Sequence, residues 1–141
     1  MIYPLHKMPI AGVLWYQGEY ETANHLGSEF ESIFKTLISS WREAWGPGDF
    51  PFIFAQLSGW GKASHTPIES EQAEVRQAQL NVWNSVVNTG MAVTFDGGTK
   101  NIHPPNKESV GSRLALMARK VAYHQDIPYT GPVIKTGESK D

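Results

Sequence analysis

Ile10-Ala11-Gly12-Val13-Leu14-Trp15-Tyr16 runs straight into Gln17-Gly18-Glu19, and this stretch decides the fold. Seven uncharged, mostly apolar residues ending in a polar, glycine-bearing turn read as a strand buried on both faces. Two further runs share that character: Phe52-Ile53-Phe54-Ala55-Gln56-Leu57 and Met91-Ala92-Val93-Thr94-Phe95. Three segments of helical period alternate with them. In the first, Phe30, Ile33, Phe34, Leu37, Ile38, Trp41 and Trp45 recur at three- and four-residue steps along one face. Ser28 and Glu31 have capping-box spacing ahead of it, and Gly46-Pro47-Gly48 stops it. Residues 69–88 predict a second helix with Val75, Val82, Trp83 and Val86 inward. Residues 107–124 predict a third, with Val110, Leu114, Met117 and Val121 on one side. The tail beyond Pro128 is expected to be irregular. Strand and helix alternating in this way specify an α/β protein built of βαβ units on a parallel sheet. Three strands fall short of the usual five or six, about half a sheet. One edge of the sheet is therefore expected to be missing.

Composition removes several classes of function. A chain of 141 residues can close one core, and a formal charge of -2 leaves no basic patch for nucleic acid. No apolar run approaches the roughly 20 residues that span a bilayer. Residues 1–9 carry no apolar signal-peptide core. There are no cysteines, so neither disulfides nor thiolate metal sites can form. His6, His25, His65 and His124 show no ligand spacing, and no metal or cofactor is expected.

Ligands of open parallel sheets bind beyond the carboxyl ends of the strands. Gln17-Gly18-Glu19, Ser58-Gly59-Trp60 and Asp96-Gly97-Gly98 occupy those ends, with His103 in the loop after Asp96. An amide, a carboxylate and an imidazole on one edge are the inventory of acyl transfer: an oxyanion donor, an orienting group and a base. Each also has a plainer reading. Gln17 would bond backbone at a strand end, Glu19 would be a turn residue or pair with Arg76, and Asp96-Gly97-Gly98 would be a turn. His103 would be a loop residue before a helix.

The runs taken together resemble a known family. GVLWYQGEYET at 12–22 resembles the third conserved block of the sialate O-acetylesterase-like branch of SGNH hydrolases. WREAWGPGDFPFIFAQL at 41–57, VRQAQL at 75–80, NIHPPNKESVGSRLALMA at 101–118 and YTGPVIK at 129–135 are similar to later elements of that branch, in the same order. The resemblance implies a three-layer α/β/α flavodoxin-like sandwich, present here as its C-terminal strands and helices only. It implies hydrolysis of O-acetyl esters on carbohydrate, most like sialic acid, by a serine acyl-enzyme without cofactor. His103 would be the general base, Gln17 the oxyanion donor, and Glu19 and Arg76 supporting residues, paired with each other.

Two departures stand out. SGNH enzymes commonly carry an Asp three or two residues before the His; here those positions are Lys100 and Asn101. Asp96 then becomes the candidate to orient His103, with a backbone carbonyl as the alternative. The family's nucleophile block would precede Gln17, yet no serine occurs among the first 16 residues. Ser58, Ser64 and Ser70 lie where the family has no nucleophile. The chain is expected to be the C-terminal portion of a longer esterase, inactive alone. Its partners would be an O-acetylated carbohydrate and, at the open edge, a missing N-terminal half or a second copy. A secreted or periplasmic location is what the resemblance suggests. Two rivals are a non-catalytic glycan-binding pseudoenzyme domain and one half of a split esterase.

Overall fold

A computed structural model describes residues 2–62, 64–66 and 68–133. Strands β1 (Val13–Trp15), β2 (Phe52–Ala55) and β3 (Thr89–Ala92) form a parallel sheet in the order β1-β2-β3. Helices α1 (Glu19–Ala23), α2 (Phe30–Trp45), α3 (Glu71–Ser85) and α4 (Lys107–Val121) connect and follow the strands. Helices α2 and α3 pack on one face of the sheet and α4 on the other, giving three α/β/α layers.

Period-two alternation along β2 divides the core. Phe52 and Phe54 point to the α2/α3 face, while Ile53 and Ala55 point to α4, and all four are at most 1% exposed. On the first face Phe34 meets Phe54 edge-on at 4.9 Å and 81°, and Trp15 meets Trp41 at 5.7 Å and 89°. Edge-to-face pairs place ring edges against the negative faces of their neighbours. Each buried Phe adds about 1.5–3 kcal/mol of transfer free energy. The second face is smaller, with Val110, Leu114 and Met117 of α4 against Ile53, Ala55 and Ala92.

Several local expectations needed correction. Ser28 does not cap α2, because its hydroxyl donates to Glu29 instead and Glu29 occupies the N-cap without a side-chain bond. Glu31 accepts from Lys35 and, across the layer, from Asn81 of α3. Strand β3 begins at Thr89, two residues before the expected Met91, so Thr-Gly belongs to the strand and not to a turn. Gly90 leaves room there for Met117, whose side chain a Cβ would overlap where α4 presses onto the sheet. The helix end at Gly46 is as expected, with a left-handed residue whose N–H donates to Arg42 O. Residues 128–133 form neither helix nor strand; the rest of the expected family segment at 129–135 lies outside the described residues.

Buried Arg42 clamps the sheet at the end opposite the candidate site. Its guanidinium donates to Phe50 O, Val87 O and Asn88 O, the carbonyls just ahead of β2 and β3. A parallel sheet needs such a tie, since no hairpin joins its neighbouring strands.

Candidate active site

All three strands end on the same side, and side chains lace those ends together. Tyr16 Oη and Ser58 Oγ lie 3.0 Å apart, and Ser58 Oγ donates to Thr94 O at 3.0 Å. Thr94 Oγ1 in turn donates to Gln56 O. Each hydroxyl has one proton, so the directions follow: Tyr16 donates to Ser58, Ser58 to Thr94 and Thr94 to Gln56. Ser58 is 3% exposed and its proton is committed. It ties together the chain just past β1, β2 and β3. Ser70 likewise caps α3 by accepting from Ala73 N, and Ser64 donates to Thr66 O.

Two glutamines two helical turns apart on α3 hold the chain as it leaves β2. Gln79 is fully buried, accepts from Leu57 N at 2.8 Å and donates to Ala55 O at 3.3 Å. Gln72 accepts from Trp60 N and donates to Trp60 O. Gln79 entered the sequence reading only within VRQAQL at 75–80, with no role of its own, and Gln72 did not enter it, because a glutamine inside a helical pattern looks like a surface residue. Their seven-residue spacing on an otherwise apolar face was the available signal. Trp60 also bridges to Thr99, which joins this loop to the one carrying His103.

Gln17 follows β1 as expected, but its amide donates to Glu21 on α1. Gly18 is buried, and a Cβ there would meet Val75 at 3.2 Å and Leu57 at 3.3 Å, so the Gln17 turn sits directly against α3. Glu19 accepts from Gly18 N at 3.0 Å. The expected Glu19–Arg76 pair does not form, since Glu19 folds back on its own helix start. Arg76 has no hydrogen bond or ion pair among the described residues, and burial lowers its pKa.

His103 lies in an exposed loop shaped by local side-chain turns. Asn101 Oδ1 accepts from His103 N at 2.9 Å, and Thr99 Oγ1 accepts from Asn101 N at 3.1 Å. Pro104 is buried, and Asn106 caps α4 by accepting from Ser109 N. Lys107 Nζ stands 4.9 Å above the Tyr16 ring. This contact sets the first residue of α4 against Tyr16, which follows β1.

Asp96 departs from its expected part. Arg113 of α4 donates to both its carboxylate oxygens, at 2.5 and 2.7 Å, and also to Val93 O at 2.7 Å. Those bonds hold the Asp96 carboxyl below its usual range. Both Asp96 oxygens accept from Arg113, and no hydrogen bond joins Asp96 to His103 among the described residues. The missed partner, Arg113, sits on the second turn of α4, where its fork reaches back to the end of β3. No cluster of three or more potential metal ligands occurs among the described residues.

Comparison with known proteins agrees with this architecture. A family model described as carbohydrate esterase, sialic acid-specific acetylesterase, matches residues 3–120. The chain is 35% identical to the sialate O-acetylesterase of Rattus norvegicus and 32% identical to that of Homo sapiens, over 96% and 94% of its length. It spans 28% of the length of each. A crystal structure of a carbohydrate acetylesterase from Xanthomonas citri superimposes with a TM-score of 0.88 at 37% identity, covering 96% of this chain and 32% of that one.

Proposed function

Because the chain belongs to the sialic acid-specific acetylesterase family of carbohydrate esterases, we propose that it forms the histidine-bearing edge of an enzyme that hydrolyses O-acetyl esters on sugars, most closely sialic acid. In this reading a serine supplied from outside these residues attacks the acetyl carbonyl. His103 Nε2 takes the serine proton and then passes it to the sugar oxygen as its bond to the acetyl carbon breaks, releasing the sugar hydroxyl. Gln17, swung away from Glu21, donates its amide to the oxyanion of the tetrahedral intermediate. Water attacks the acetyl-serine through the same base, releasing acetate and restoring the serine.

The observation that carries this reading is the contact of Lys107 with the Tyr16 ring, which supports a shared edge for His103 and Gln17. An external nucleophile is supported by the commitment of Ser58 to Tyr16 and Thr94. His103 is oriented by backbone or by a residue outside this chain. Asp96, engaged by Arg113, positions β3 against α4 and does not touch the reacting atoms.

In the full-length parent, His103→Ala should abolish acetate release. Gln17→Ala should lower kcat by about 10²–10³ with little change in KM, because an oxyanion donor acts on the transition state. Asp96→Asn should cost far less than the ~10⁴ expected when an orienting carboxylate is neutralised. The 141-residue chain alone should hydrolyse no p-nitrophenyl acetate above its His103→Ala control. Stoichiometric labelling of one of its own serines by a fluorophosphonate would overturn this reading. A second reading, a glycan-binding domain without chemistry, is favoured by the engagement of Gln17 with Glu21. Sugar binding without acetate release by the parent would select it.

A further inference from the structure

The four arginines of the chain differ in one respect. Arg42 donates to three backbone carbonyls, Arg113 to Asp96 and Val93 O, and Arg119 to Gln125. Arg76 has no such partner among the described residues, yet it is only partly exposed. A guanidinium carries five donors in a rigid fork, and taking it from water without an acceptor is unfavourable. Burial alone lowers the Arg76 pKa, with no neighbouring carboxylate to raise it again.

Arg76 opens onto a cleft of about 940 Å³ at the carboxyl edge of the sheet. Lys62 and Lys100 line the same cleft, so three cations face it, and no Asp or Glu does among the described residues. In a chain whose acids outnumber its bases, 14 to 12, this local excess is specific to the cleft. Trp60 and Phe95 supply apolar walls. The Trp60 backbone is held from both sides by Gln72 and bridged to Thr99, so that wall is already in place. Val75, the residue before Arg76, packs on Gly18 next to Gln17, so the helix that carries Arg76 also touches the Gln17 turn.

We propose that this cleft is the subsite that reads the carboxylate of an acidic sugar, with Arg76 as its specificity-determining residue; the assignment rests on the esterase reading above. The planar fork matches a carboxylate through two parallel charge-assisted hydrogen bonds. Lys62 and Lys100 draw the anion in without fixing its geometry. The Trp60 face accepts the apolar side of a sugar ring, leaving the ester end toward Gln17 and His103. A neutral acetylated sugar would leave Arg76 unpaired, and the cleft would discriminate against it.

The test compares an O-acetylated N-acetylneuraminic acid with the methyl ester of the same compound, on the full-length parent and its Arg76→Gln and Arg76→Lys variants. The wild type should favour the free acid by about ten- to a hundred-fold in kcat/KM, the range of one charge-assisted contact, mostly through KM. Arg76→Gln should bring that ratio close to one, and Arg76→Lys should restore part of it. Equal rates in the wild type, or a ratio unmoved by Arg76→Gln, would overturn the proposal. Should Arg76→Gln fail to fold, the exposed double variant Lys62→Gln/Lys100→Gln should reduce the ratio several-fold and flatten its salt dependence; an unchanged ratio there counts against it. Titration of the parent with N-acetylneuraminic acid and its methyl ester needs no hydrolysis. A protein that binds the acid selectively through Arg76 but releases no acetate would break the esterase reading and leave the subsite standing.

Discussion

The two faces of the sheet are finished to different degrees. Toward α2 and α3 all three strands are covered: Val13 and Trp15 of β1 join Phe52, Phe54 and Met91 in one aromatic cluster. On the other face α4 packs on β3 and β2. Leu14, which points to that face from the middle of β1, is 61% exposed. Beside it an apolar groove of about 190 Å³ is lined by Ala11, Val13, Ile53, Ala118 and Tyr123. Two helices cover three strands on one side, whereas one helix covers two on the other. The first face can stabilise itself; the second leaves an unpaired strand edge and apolar surface side by side, a combination that invites association.

Substitution should separate these faces most sharply at their centres. Phe54→Ala on the α2/α3 face should cost about 3–5 kcal/mol of unfolding free energy, the range for emptying a close-packed phenylalanine site. A loss below ~1 kcal/mol in denaturant titration would mean that this cluster is loosely packed and that the contrast fails. Leu14→Ser at the open edge should change stability by no more than about 0.5 kcal/mol, as for other surface sites. The same change should reduce binding of a hydrophobic dye and self-association of the chain. A monodisperse wild-type monomer that binds no dye would show the edge to be harmless as it stands. The smallest effect should come from the Asp96–Arg113 pair at the outer end of β3. Its folded-state pKa is depressed, chiefly by the Arg113 hydrogen bonds. Its contribution is therefore complete above the unfolded value near ~4 and is lost as pH falls through the lower folded value. The pair is half-exposed, so the loss should be slight. Asp96→Asn should lower stability slightly at neutral pH, where the pair is fully formed, and flatten the profile below about pH 4; a stability curve identical to that of the wild type would remove the pair from the account.

The site was less evenly legible than the fold. His103 and Gln17 could be proposed from the sequence because each stands in a short run of uncommon order, and a covalent neighbourhood survives in a one-dimensional reading. The partners of Asp96 and Glu19 could not. Asp96 was assigned to His103 by closeness in sequence, yet it meets Arg113, 17 residues away. Glu19 was matched to Arg76 by charge alone, and its nearest donor proved to be the adjacent amide of Gly18.

Periodicity along the chain was enough for three strands, three long helices and their α/β order, because burial on one face imposes a repeat on neighbouring residues; of the strands expected to be buried on both faces only β2 and β3 are, since Leu14 of β1 is exposed. It was also enough for the stop at Gly46, where a left-handed residue is a local requirement. Packing in three dimensions decided the rest. It placed Gly90 inside β3 because Met117 arrives from a helix far along the chain. It turned Gln72 and Gln79 into backbone clamps, paired Asp96 with Arg113 and left Arg76 facing a cleft that no carboxylate lines among the described residues. Hydrogen bonds and ion pairs are chosen by distance through space, and that distance does not exist until the layers have closed.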